Sequence, residues 1–128
     1  MTMDLPATKI EKTSSDFRVE VREFINNELN NNTFVPRCDS WLGGYSEEFS
    51  KKLGEKGWLG MTWPKKYGGS ERSAIDRYIL TEELLVAGAP VALHWFADRQ
   101  TGPLLLNYGT EKQKTYFLPR IASGEMYF

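Results

Sequence analysis

The sequence predicts an all-α fold, and three observations carry that prediction. Apolar residues recur every three or four positions, as in Phe17, Val21, Phe24, Ile25 and Leu29, which is the spacing of one helix face. Hydroxyl and acidic residues stand where helix starts need them, and Gly57, Gly88, Gly109 and Gly124 stand where helices would stop. No stretch alternates apolar and polar residues convincingly enough to read as a strand, apart from the chain's last residues, Met126, Tyr127 and Phe128.

The elements follow in chain order. A first helix is expected from Ser14 to about Asn30. Thr13, Ser14, Ser15 and Asp16 supply capping groups, and Asn30, Asn31 and Asn32 end it, because Asn competes for backbone hydrogen bonds. Residues 33–45 read as a loop with Pro36 and Gly43-Gly44. A second helix, Glu47 to Lys56, follows Ser46 as cap, turns Phe49 and Leu53 inward, and stops at Gly57. The segment "GWLGMTWPKKYGGSERS" (57–73) mixes two tryptophans and a tyrosine with four glycines and a proline. Such a segment breaks regular structure while its aromatics demand burial.

A third helix is expected over Ser73 to Ala87, with Ile75, Tyr78, Ile79, Leu84 and Val86 as its apolar face. Pro90 suits the first turn of a fourth helix carrying Val91, Leu93, Trp95 and Phe96. Gly102-Pro103 should kink or break it before "LLLNYG" closes it. Thr110 with Gln113 forms a capping box that opens a fifth helix to about Ser123. Tyr116, Phe117, Leu118 and Ile121 point inward there, and Pro119 marks a bend.

Composition narrows the function classes. A chain of 128 residues holds one ordinary domain. Hydrophobic residues at 41% and charged residues at 26% give a core-forming, globular balance. A net charge of −1 and the lack of any long basic block point away from nucleic acid and anionic membranes. No apolar run reaches the ~20 residues of a bilayer span, and the first residues lack the apolar stretch of a signal peptide. The expectation is a soluble, cytoplasmic protein. Cys38, the only cysteine, is expected to be a buried or idle thiol.

Catalytic patterns are sparse. His94 is the only histidine, no Cys-x-x-Cys or His-x-x-x-His is present, and no metal site is expected. Glu82-Glu83 sit about 100° apart on a helix. They are read as one solvated carboxylate and one in a local hydrogen bond. In "HWFADR" (94–99), His94 and Asp98 share a helix face, as do Trp95 and Arg99. One reading makes Trp95 and Phe96 core and pairs Asp98 with His94. The other makes this a pocket wall with Arg99 as its polar rim.

The order of short motifs is more specific than any of them singly. "KLGEKGWLGMTWPKKYGGSERSAIDRYILTEELLVAGAP" and "GPLLLNYGTEKQKTYFLPRIASGE" resemble the N-terminal helical domain of the acyl-CoA dehydrogenase family over roughly Phe17 to Phe128. The resemblance implies an orthogonal bundle of about five to six helices. It implies a flexible stretch at 1–12, the helical domain at 13–125, and at 126–128 the start of a middle β-domain that is missing here. It also implies an FAD-dependent parent enzyme that desaturates acyl-CoA thioesters, commonly as a homo-oligomer. The catalytic glutamate and most of the flavin site would lie in parts absent from this chain, so no catalytic or cofactor-binding residue is assigned. The helix around Val91–Gln100 would border the acyl group, which makes Trp95, Phe96 and Arg99 candidate substrate-binding residues. A bulky Trp and a charged Arg suit a short, polar or ring-bearing acyl group. An acyl-CoA oxidase or flavin monooxygenase of the same fold, or a non-catalytic helical module that pairs with a partner subunit, are the alternatives.

Overall fold

A computed structural model describes residues 9–128, and the expectation for residues 1–8 lies outside them. Seven α-helices follow in order: α1 (Lys12–Asn30), α2 (Ser40–Gly43), α3 (Glu47–Glu55), α4 (Ala74–Val86), α5 (Ala92–Phe96), α6 (Gly102–Tyr108) and α7 (Glu111–Ala122). A 3₁₀ turn occupies Lys65–Tyr67, and a π turn, Ala97–Thr101, joins α5 to α6. No strand occurs among the described residues, so the all-α expectation holds.

Several helix ends match the sequence signals. The Ser46 and Ser73 hydroxyls accept from the Phe49 and Asp76 amides, and Thr110 with Gln113 makes both bonds of the capping box. At the end of α3, Gly57 takes a φ of 70°, which an L side chain rarely adopts. Its N–H bonds the Gly54 carbonyl at 2.8 Å and the Trp58 N–H bonds the Leu53 carbonyl at 2.9 Å, the paired closure of a Schellman motif. The same pair of bonds closes α4 at Gly88 and α7 at Gly124.

The start of α1 departs from expectation. It begins two residues before Ser14, after Glu11, with no side-chain cap. Ser14 is buried inside the helix and its hydroxyl donates to Asp76 on α4 at 2.9 Å. The residues that read as a local cap are used for a contact between helices. Three further readings also change. α2 lies within the segment expected to be a loop. Cys38 is exposed. Ile75, Tyr78, Val86 and Tyr116, expected inward, are exposed, because Ile79, Leu80 and Leu84 carry the buried face of α4 and Leu118 and Ile121 that of α7.

Two buried clusters form. The larger joins Phe17, Val21 and Ile25 of α1 with Phe49 and Leu53 of α3 and Ile79, Leu80 and Leu84 of α4, around Trp58, Leu59 and Met61. Phe17 and Phe24 meet the Trp58 ring edge-on at 5.6 and 5.1 Å, the arrangement that aromatic quadrupoles favour. The smaller cluster gathers Trp63, Tyr67, Ala97, Leu118, Ile121 and Ala122. The crossing segment between α3 and α4 thus feeds both. It is held by its own backbone, with the Arg72 N–H on the Met61 carbonyl at 2.8 Å and the Glu71 N–H on the Trp63 carbonyl at 3.1 Å.

α1 lies along α4, and charges pin the pair. Arg18 donates to both Glu82 and Glu83, and Arg22 Nε donates to Glu83 Oε2 at 2.8 Å. Of the expected pair, one solvated and one locally bonded, only the local bond is found, from the Tyr78 hydroxyl to Glu82 at 3.1 Å. Adjacent helix positions diverge, yet a long guanidinium lying across α4 reaches both. Hydrogen bonds from Arg22 and Arg18 hold the Glu83 carboxyl below its usual range despite burial, and Arg18 does the same for Glu82.

Candidate functional site

The segment from His94 to Gly102 positions the residues of interest. Pro103 lacks the N–H that an α-helix would need there. The chain widens into the π turn one turn earlier and enters α6 with Pro103 in its first turn. The helical path bends its hydrogen bonding and does not break at Gly102-Pro103. Single π turns of this kind are frequent at functional sites, and Asp98 lies buried within this one.

Asp98 makes two bonds in opposite directions. Its Oδ1 accepts the Gly60 N–H at 2.7 Å, and its Oδ2 accepts Arg99 Nε at 3.0 Å. Arg99 Nη2 donates to the Thr81 hydroxyl, which itself donates to the Arg77 carbonyl at 2.7 Å. The Arg99 guanidinium lies 5.0 Å from the Trp95 ring centroid, within cation–π range. Burial pushes the Asp98 carboxyl up and the Arg99 guanidinium down, each toward its neutral form, and each holds the other charged. The anticipated His94–Asp98 pair does not form. His94 Nδ1 instead meets the Ser50 hydroxyl of α3 at 2.7 Å, both groups buried, and burial lowers the imidazole pKa to about 4.

Trp95 and Arg99 are brought together and line one cavity of about 10 Å³ with Trp58, Leu59 and Thr81. That volume holds at most a single water. Trp95 is half-buried against the larger core, and its ring lies 6.3 Å from that of Trp41 on α2. Phe96 takes the other side of α5, is 42% exposed, and does not line the cavity. Thr81, Gly60 and Ser50 complete the site and were not anticipated. They lie 18 or more positions from their partners in the 94–99 stretch, and no local spacing marks them.

This fold and site define a class. The chain belongs to the acyl-CoA dehydrogenase family, whose N-terminal domain model, "Acyl-CoA dehydrogenase, N-terminal domain", matches residues 11–125. Among its relatives is acyl-CoA dehydrogenase FadE26 of Mycobacterium tuberculosis, 44% identical over 87 residues, covering 68% of this chain and 21% of the relative. Among solved structures, the Tcur3481-Tcur3483 steroid ACAD superposes with a TM-score of 0.77 at 36% identity, covering 93% of this chain and 31% of that one. The ChsE4-ChsE5 complex from Mycobacterium tuberculosis gives 0.74 at 32%, covering 95% and 30%. The chain therefore spans between a fifth and a third of the length of these proteins. Among the described residues, no helix is long and apolar enough to cross a membrane.

Proposed function

We propose that this chain serves as the N-terminal helical part of an FAD-dependent acyl-CoA dehydrogenase that introduces an α,β double bond into an acyl-CoA thioester. The observation that carries the reading is the family match over residues 11–125, which takes in every helix from α1 to α7 and the crossing segment alike. In the whole enzyme, bound FAD is the electron acceptor of the reaction. No flavin-contacting residue is assigned on this chain, and the other parts of the enzyme are proposed to supply most of the flavin site.

The chain's own contribution is positional. Trp95 and Arg99 supply one wall of the acyl pocket, and residues 13–125 act as the working unit, with 126–128 leading into the next part of the enzyme. Leu42 and Tyr45 are 62% and 73% exposed beside Trp41, and with Phe96 they offer an apolar face for docking. The similarity to two-component assemblies favours a second, different subunit as a partner, beyond copies of the same chain.

A dye-linked desaturation assay of the complete enzyme tests the proposal. Trp95→Ala and Arg99→Ala should each change the preference among acyl-CoA substrates of different length and bulk. An unchanged profile in both variants refutes the wall assignment, and no desaturation of any acyl-CoA refutes the enzyme class.

A further inference from the structure

The wall proposed for the acyl group carries a cation, and that cation is already answered. A free arginine facing a substrate would be a receptor for a carboxylate, because its planar fork matches two oxygens. In this chain the side-on fork of Arg99 is filled, Nε by Asp98 and Nη2 by Thr81. One guanidinium face lies against Trp95. Asp98 is not a mobile surface partner. Its side chain is 8% exposed and its other oxygen is anchored on the Gly60 amide at 2.7 Å, so it cannot swing away to make room for another anion.

We infer that the Trp95–Arg99 wall selects acyl groups that are uncharged where they meet it, and that Asp98 is the residue that sets this preference. The inference rests on the reading that this helix borders the acyl group. A dicarboxylic acyl chain reaching Arg99 finds the side-on fork occupied, is left with the Nη1 end of the guanidinium, and meets the Asp98 charge at close range. It must shed its own hydration for a poorer match than a free fork would give. A neutral, ring-bearing or branched acyl group instead finds the Trp95 face and asks for no ion partner from Arg99, which Asp98 already pairs. Asp98 acts here through Arg99, as a positioning residue.

Asp98→Asn separates the roles, because the amide oxygen still accepts the Gly60 N–H while the charge opposing Arg99 is removed. The first measurement uses the 128-residue chain and glutarate as the probe, followed through the arginine Nε–H resonances. In the wild type the Arg99 resonance should stay in place as glutarate is added, and in Asp98→Asn it should move. Equal movement in both proteins overturns the inference.

The second measurement compares kcat/KM in the complete enzyme for a neutral acyl-CoA and a carboxylate-terminated acyl-CoA of the same carbon number. Asp98→Asn should raise the carboxylated-to-neutral ratio by about tenfold or more, the scale of one charge-assisted hydrogen bond. Equal losses on both substrates, the signature of a merely structural residue, overturn the inference. If Asp98→Asn does not fold, Thr81→Val frees Arg99 Nη2 with little change in side-chain size and should raise the carboxylated-to-neutral ratio in the same direction. An unchanged ratio in that variant also overturns it. Failure of the wild-type enzyme on every acyl-CoA refutes the enzyme reading, and the glutarate titration then still decides whether Arg99 is free.

Discussion

Gly102→Ala is expected to destabilise the domain although Gly102 has ordinary helical dihedrals. In an exposed helix the exchange gains about 1 kcal/mol, because Ala is the better helix former. Here a Cβ at Gly102 falls 2.0 Å from Trp63 Cζ2 and 2.4 Å from Cη2. Ordinary contact begins near 3.4 Å, so the indole would have to retreat by about 1.4 Å. It has little room, because Trp63 is 2% exposed and Gly60 hems its other edge. Overpacking of this kind costs about 1–3 kcal/mol, and the severity of the overlap places this site at the upper end. Set against the helix gain, a net loss of about 1–2 kcal/mol is expected. Urea unfolding of the wild type, Gly102→Ala, Trp63→Phe and the double variant measures it. Trp63→Phe removes the ring edge that clashes, so the double variant should be more stable than the sum of the single losses by at least about 1 kcal/mol. Additive losses, or a Gly102→Ala protein as stable as wild type, refute the reasoning.

Other outcomes follow from the polar contacts. His94 protonates more readily in the unfolded chain than in the fold, where its pKa is about 4. Its share of stability is therefore full above about pH 6.5 and falls by up to about 3 kcal/mol as the pH drops to about 4. Urea midpoints across that range should show the slope for wild type and lose it in His94→Gln. Glu83 has its pKa held down by Arg22 and Arg18, so its contribution is present above the ordinary carboxylate range and fades as pH falls through its lowered value. Glu83→Gln should cost about 1–3 kcal/mol at pH 7 and much less at the acid end, read from the same titration. Thr110→Ala removes a complete capping box and should cost about 1 kcal/mol by chemical denaturation.

What the sequence disclosed was local, and what it hid was long-range. Helix periodicity, the Ser46, Ser73 and Thr110 caps and the glycine stops each depend on residues within one or two turns, and the structure keeps them. The Ser14 reading failed because a hydroxyl at a helix start has the same local appearance whether it caps its own helix or bonds another. Asp76, 62 positions away, decides the matter. The Glu82-Glu83 reading caught the local Tyr78 bond and missed Arg18, since side-chain divergence on α4 says nothing about an arginine on α1 that spans both. Of the candidate residues, the four-residue spacing of Trp95 and Arg99 made their contact legible, whereas the exposure of Phe96 was not, because burial depends on what packs across α5. The Asp98–Gly60 bond joins a π turn to a residue 38 positions earlier, and no local spacing marks it.

The crossing segment explains why these long-range contacts hold together. Four residues separate Trp58 from Trp63, yet the first belongs to one buried cluster and the second to the other. A regular helix would set both rings on one rod and leave the second cluster without its anchor. The chain instead reverses at Gly60, whose φ of 57° lets the backbone turn sharply, and the same residue presents its N–H to Asp98. The turn that distributes the tryptophans is therefore also the turn that fixes the buried carboxylate, and through it Arg99 and the Trp95 face. A substitution such as Gly60→Ala strains the reversal and its Cβ meets Trp63 Cε3 at 2.4 Å. It should loosen both clusters and the Arg99 pair at once. A Gly60→Ala protein with wild-type stability and an unmoved Arg99 Nε–H resonance would show that the two are held separately.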